Sequence, residues 1–442
     1  MKPPPELAGN YAPVTDEITS CELKTEGAVP PELSGWYVRN GPNPHSAASG
    51  HWFSGDGMVH GVRLEDGRAL SYRNRWVRTS LFREGRPPGG GRRDLAAGAA
   101  NTHVVRHAGH TLALVESSLP YELEPDLATI GPYDFEGRLD TPMTAHPKVC
   151  PDTGEMHFFG YRATEAPYLT YHRTDTAGNL VVSRPVTEVG PTMMHDFALT
   201  SRHVVFMDLP VVFDRQLARG GGAMPYRWSD SYGARLGVLR RDDPHGAIRW
   251  FSVDPCYVFH TLNAHEAGGT LVLTVVRYPE LWRGDQGFDQ PGTLWRWVVD
   301  LATGTVREER IDDRDCEFPR IDDRLAGLDA RYGYAITTSA EPHGPHSGVL
   351  LRYDLSTGGV VEHRFGQGRR PSEAAFAPAD DRPGGRGWLM TYVYDMARDS
   401  SDLVILDAED PTAEPVATIH LPRRVPFGFH GNWLPDRAPA SA

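Results

Sequence analysis

Four of the 19 histidines occupy settings that suit a metal ligand. His146 lies in Thr144-Ala145-His146-Pro147-Lys148, and His195 in Met193-Met194-His195-Asp196-Phe197. His260 lies in Tyr257-Val258-Phe259-His260-Thr261-Leu262, and His430 in Phe427-Gly428-Phe429-His430-Gly431-Asn432-Trp433. Each sits in a short apolar segment that reads as a strand start or as a tight turn ahead of one. No two of them form a His-x-His or His-x₃-His pair, so a shared ion needs a fold that gathers distant residues. Imidazole nitrogen suits Fe, Zn, Cu or Ni. A structural zinc site more often uses closely spaced cysteines, and Cys21, Cys150, Cys256 and Cys316 are far apart. Four neutral imidazoles would leave a divalent iron its full charge and two open positions, which suits dioxygen beside a substrate.

The elements that must carry these residues are strands. Runs such as Leu112-Ala113-Leu114-Val115, Val204-Val205-Phe206-Met207 and Leu403-Val404-Ile405-Leu406 alternate with polar turns, and helical periodicity is scarce. The 46 glycines and 37 prolines supply turns in the number an all-β chain requires. One turn recurs, an Asp followed within a few residues by Gly, at 65–67, 152–154, 175–178, 242–246, 300–304 and 354–358; a related turn is read at 407–410. Its later copies are about 55 residues apart, a period that suggests propeller blades with long loops on one face. In a propeller the inner strands converge on a central channel, so one residue per blade can reach an axial ion. Periodicity alone leaves a large β-sandwich with ordinary hairpins open. No linker divides the chain, so residues 1–442 are read as one domain.

Composition narrows the partners. A net charge of −13 and Lys/Arg scattered as pairs (Arg92-Arg93, Arg369-Arg370, Arg423-Arg424) argue against nucleic acid. Four cysteines without close pairing read as free thiols in a reducing compartment. No apolar run follows the Met1-Lys2-Pro3-Pro4-Pro5 start, and no stretch approaches the roughly 20 apolar residues of a spanning helix. A soluble, cytoplasmic protein is expected.

The four histidine segments, in this order, resemble those of the carotenoid cleavage oxygenase family. That family includes apocarotenoid oxygenases, the retinal-pigment-epithelium isomerase and lignostilbene dioxygenases. Further matching blocks are GWYVRNGPNP at 35–44, WFSGDGMVH at 52–60, YRNRWVRT at 72–79, RLGVL at 235–239 and HGNW at 430–433. The resemblance implies an all-β, seven-bladed β-propeller whose loops cap a central metal, with residues 1–30 as an N-terminal extension touching the cap. It implies Fe(2+) held by His146, His195, His260 and His430. His265, His60 and His103 fall at positions that carry no ligand in the family. It also implies that Glu116, Glu317 and Glu373 hydrogen-bond the ligating imidazoles, which orients them and raises their basicity. Without the resemblance, all three read as surface residues at strand ends, although the apolar run before Glu116 hints at burial. Thr102 matches a residue that crowds one open iron position.

The implied reaction uses O2 to split a carbon–carbon double bond of an elongated conjugated molecule, giving aldehyde or ketone products. Aromatic faces would stabilise positive charge along the polyene. Candidates for the substrate tunnel are Phe53, Trp76, Phe259, Trp295 and Phe427, chosen for their nearness to the matched blocks, together with Val115. Stilbene-cleaving members carry a Lys immediately before the first glutamate, where this chain has Val115. A carotenoid or apocarotenoid is therefore the expected substrate, with a stilbene or phenylpropenoid as the alternative. A propeller used as a metal-free binding module, and an isomerase, are the other readings. A membrane-borne substrate calls for an apolar entrance. Leu209-Pro210-Val211-Val212-Phe213 with the 219–222 stretch and Met224-Pro225-Tyr226 is the expected one, making weak, peripheral membrane contact.

Overall fold

The structure is a computed structural model that describes residues 8–45, 52–84, 94–220, 224–284, 287, 290–338 and 348–436. The Met1–Pro5 start, the Arg92-Arg93 pair and Gly221-Gly222 lie outside the described residues. The recurrent Asp–Gly turn is built as its chemistry requires. Asp300 Oδ1 accepts from the N–H groups of Ala302 and Thr303, and Asp354 Oδ1 from those of Ser356 and Thr357. Gly304 and Gly358 close the two turns at φ +79° and +74°, in the left-handed region that favours glycine.

The turns at 300–304 and 354–358 join the third and fourth strands of successive four-stranded antiparallel sheets, which explains their spacing, whereas that at 152–154 joins a first and a second strand. Seven antiparallel sheets ring an axis, five of four strands, one of five and one of six. Blade 1 comprises His103–His107, His110–Leu114, Tyr121–Leu123 and Thr129–Pro132. The inner strands of blades 2 to 5 are Lys148–Val149, Phe197–Leu199, Tyr257–Ala267 and Glu317–Arg320. Blade 6 starts with Arg369–Pro371 and Ala375–Pro378, both paired to Gly387–Asp395. Blade 7 closes the ring: its innermost strand, Gly431–Pro435, pairs with Gly35–Pro42 from the other end of the chain. Within residues 1–30, read from sequence as an N-terminal extension, two segments add to sheets. Thr19–Ser20 adds to the outer edge of blade 7 and Thr25–Gly27 to that of blade 6.

Apolar clusters lie between neighbouring blades. Trp36, Val38 and Val59 of blade 7 meet Val104, Ala113 and Tyr121 of blade 1. Tyr37, Val62 and Leu64 of blade 7 meet Met390, Leu403 and Ile405 of blade 6. A strand covered on both faces reads as an unbroken apolar run, so Leu403-Val404-Ile405-Leu406 is wholly buried. The outermost strand of blade 4, Thr305–Asp315, faces solvent and is mostly charged. Each fully buried Val, Leu or Phe contributes about 1.5–3 kcal/mol, which holds the ring together without helices. The only helices among the described residues are Ser80–Glu84, Arg215–Arg219 and three single 3₁₀ turns. Among the described residues, no helix is long and apolar enough to cross a membrane. The four cysteines are free thiols, Cys21 exposed and the others buried.

Several other histidines serve packing. His60 Nδ1 meets the Tyr72 hydroxyl at 2.8 Å, His157 Nδ1 the Tyr171 hydroxyl at 2.7 Å, and His172 lies between Ser183 and Thr141. Burial holds His60 and His157 well below the usual imidazole range, helped by nearby arginines, and pushes His172 down to about 3. The unfolded chain takes up protons at these rings as pH falls below about 6.5, while the folded chain stays neutral. Their contribution to stability is therefore complete above that pH and is lost on acidification. Urea unfolding of the metal-free protein should give a smaller free energy at about pH 5.5 than at about pH 7.5. An equal or larger value at the lower pH would contradict this.

Candidate metal centre

The four histidines converge on the propeller axis. His146 and His195 stand just ahead of the inner strands of blades 2 and 3, His260 lies within that of blade 4, and His430 immediately precedes that of blade 7. One ring nitrogen from each lies within 4.8 Å of the others, and Nε2 of His146 approaches Nε2 of His195 to 3.0 Å. Two donors about 2.1 Å from one ion and at right angles would be about 3.0 Å apart. His146, His260 and His430 are buried and His195 is half-buried. Burial, reinforced by the neighbouring rings, holds His146 and His430 well below the ordinary imidazole range. Burial also pulls on His260, but the Glu317 carboxylate outweighs it and the net shift is upward.

Three carboxylates fix three of the rings. His195 Nδ1 lies 2.6 Å from Glu116 Oε2, His260 Nδ1 2.6 Å from Glu317 Oε2, and His430 Nδ1 3.0 Å from Glu373 Oε1. An ionised carboxylate only accepts, so Nδ1 carries the proton and Nε2 keeps its lone pair toward the axis. His260 Nε2 is buried with no hydrogen-bond partner among the described residues. Converging neutral imidazoles with an orphaned nitrogen fit a divalent transition ion.

The carboxylates have supports that sequence reasoning missed. The Tyr161 hydroxyl donates to Glu116 Oε1 at 2.7 Å, and the Tyr278 hydroxyl to Glu317 Oε1 at 3.0 Å. Glu373 Oε2 accepts from the Gly431 N–H at 2.7 Å and from Arg320 Nη1 at 3.2 Å. Burial raises the Glu373 carboxyl against the pull of Arg320. Arg320 belongs to the same strand as Glu317 and could have been questioned as a charge beside an inner-strand carboxylate. Tyr161 ends the strand Met156–Tyr161 and Tyr278 ends Thr270–Tyr278, and neither position carries a mark in the sequence.

Above the histidines lies a cavity of about 1610 Å³. His195, His260, His430 and Thr102 reach its wall, as do Phe53, Val115, Phe259 and Phe427. Thr102 is buried, and its hydroxyl donates to Asn101 Oδ1 at 3.0 Å. Trp76 and Trp295 are not among the lining residues. Trp76 packs with Val14 and Met58 and donates to the Asn43 carbonyl at 3.0 Å. Trp295, on the third strand of blade 4, is flanked by the guanidinium groups of Arg277 and Arg310, 4.3 and 5.4 Å from its ring. Nearness in sequence to a matched block does not decide which way a strand residue faces. Conversely, Tyr11, Trp52 and Phe429 line the cavity unforeseen. Tyr11 stacks edge-on against Trp52 and Phe427, with centroids 5.3 and 5.0 Å apart.

The expected apolar entrance is largely buried. Leu209 and Val211 are inaccessible and Val212 and Phe213 half-buried. Val211–Phe213 pairs with Tyr226–Trp228 as a two-stranded ribbon, and Phe213, Met224 and Tyr226 turn toward the cavity. The run is apolar because it packs inward.

The profile of the family described as retinal pigment epithelial membrane protein matches residues 11–435. A carotenoid cleavage oxygenase of Mycobacterium tuberculosis is 39% identical, over 98% of this chain and 97% of its own. The chain belongs to the carotenoid cleavage oxygenase family. Solved structures of the family agree. A cobalt-substituted apocarotenoid oxygenase from Synechocystis superposes with a TM-score of 0.84 at 28% identity, covering 96% of this chain and 97% of its own. A lignostilbene dioxygenase from Pseudomonas brassicacearum gives 0.85 at 28% identity, covering 98% and 99%. The seven-bladed ring is thus the fold of these solved structures.

Replacing Tyr278 by Phe should leave Glu317 Oε1 buried without its donor, at a cost of about 1–3 kcal/mol in denaturant unfolding. A loss below about 0.3 kcal/mol would mean that the oxygen finds another partner.

Proposed function

We propose that this protein is a non-haem iron dioxygenase that cleaves a carbon–carbon double bond of a carotenoid or apocarotenoid. The observation that carries the reading is the four-imidazole group beside a large cavity whose wall includes three of the histidines and many aromatic rings. Nε2 of His146, His195, His260 and His430 would hold Fe(2+). The iron, when bound, supplies the redox chemistry with O2 that no side chain can.

The chain's own part is binding, orientation and electrostatics. Glu116, Glu317 and Glu373 keep three rings in the metal-binding tautomer. The aromatic group of Tyr11, Trp52, Phe53, Phe427 and Phe429 offers ring faces to an apolar chain and to positive charge developing on it. Thr102, buried at the cavity wall, limits the space beside the histidines.

Substrate size favours a carotenoid. The cavity exceeds the ~300–1,000 Å³ usual for small-molecule sites, far more than a two-ring stilbene fills. Val115, the residue before Glu116, adds an apolar surface where a phenolate would want a cation. The likeness to a lignostilbene dioxygenase keeps stilbene cleavage as the second reading.

Iron-loaded protein should convert an apocarotenoid panel to pairs of carbonyl products readable by mass spectrometry. Turnover of a hydroxystilbene alone would overturn the substrate class, and failure to bind iron would overturn the enzyme reading. Alanine at any one of the four histidines should remove iron and activity together. Gln at Glu116, Glu317 or Glu373 should weaken metal affinity or activity about 10–100-fold; full activity in all three variants would contradict the assigned roles.

A further inference from the structure

His146 differs from its three companions. Its ring makes no hydrogen bond to a carboxylate among the described residues, whereas His195, His260 and His430 each have one. The chain around it is held instead by Asp196, which is 1% exposed. Lys148, two residues after His146, places Nζ 2.9 Å from Asp196 Oδ1. Asp196 itself follows His195. Its Oδ2 accepts from the backbone N–H of Thr261 at 2.8 Å and from the Thr261 hydroxyl at 2.7 Å. Thr261 follows His260. One buried carboxylate thus ties together the inner strands of blades 2, 3 and 4, each within two residues of a histidine. A further tie runs alongside: Thr144 Oγ1 donates to the His195 carbonyl at 3.2 Å.

We propose that Asp196, acting through Lys148 and Thr261, is a positioning residue that sets the spacing of His146, His195 and His260. It supplies through the backbone the orientation that His146 lacks from a carboxylate of its own. The proposal rests on the metal reading above. Stability alone is a poor account of the arrangement. A buried ion pair contributes little net stability, because desolvation offsets its attraction, and its best-attested use is to fix register. The Lys148 side chain is 22% exposed and could reach water without this partner.

The test is a cobalt(II) titration of the full chain against a competing chelator, with the visible absorption of bound cobalt recorded. The unaltered protein should bind one equivalent. Lys148→Met and Asp196→Asn should weaken binding about 10–100-fold and change the cobalt bands. Thr261→Ser keeps the hydroxyl and should stay within about 3-fold of the unaltered protein. Asp402→Asn is the control: Asp402 is equally buried and ion-paired with Arg369 and Arg398, but on the third strand of blade 6. It should lower thermal stability while leaving the bands unchanged. Lys148→Met, which alters a partly exposed side chain, decides the matter if Asp196→Asn does not fold. The proposal is overturned if Lys148→Met keeps both affinity and bands, or if Asp402→Asn shifts the bands as much. Failure of the unaltered protein to bind cobalt would count against the metal reading itself.

Discussion

Four imidazoles can share a buried site only if they are neutral and their lone pairs converge. Everything around the axis serves that constraint. Burial keeps the proton off His146 and His430, and three carboxylates draw the remaining ring proton to Nδ1. Each carboxylate is in turn held by a donor from the scaffold: Tyr161, Tyr278, or Arg320 with the Gly431 N–H. An unsupported carboxylate in this setting would rotate or take up a proton, and the ring beside it could turn its lone pair away.

The ring of sheets makes such convergence possible without local sequence spacing. Contacts run from blade to blade at the level of the histidines. The His430 N–H donates to the Thr102 carbonyl, joining blades 7 and 1, and His103 Nδ1 lies 3.0 Å from the Ala145 carbonyl, joining blades 1 and 2. Asp196 spans blades 2 to 4, His260 and Glu317 join 4 to 5, and Arg320 joins 5 to 6. Glu373 completes the circle to His430. Because the pairing of Gly35–Pro42 with Gly431–Pro435 closes the ring, the position of His430 depends on a strand from the other end of the chain.

Much of this was legible in the sequence, for physical reasons. Strands covered on both faces must be apolar throughout, and their outer hairpins need an Asp to cap the turn and a Gly to close it. That pattern exposed the repeat, although periodicity alone left a sandwich open. Apolar settings drew attention to the four histidines, while resemblance selected them and found the glutamates. Side-chain direction was not legible. Trp76 and Trp295 sit beside matched blocks yet face other packing, and Leu209 and Val211 of the apolar run are buried while Phe213 lines the cavity. Tyr11 escaped notice because its role depends on a contact with Phe427, more than 400 residues away in the chain.

The central claim is that one iron sits on the axis with four imidazole ligands and no protein carboxylate among them. The most direct test is an anomalous difference map at the iron edge from crystals of iron-loaded protein. The expected result is a single peak bounded by Nε2 of His146, His195, His260 and His430, with Glu116, Glu317 and Glu373 one bond further out. A peak elsewhere, or direct ligation by any of those glutamates, would contradict it.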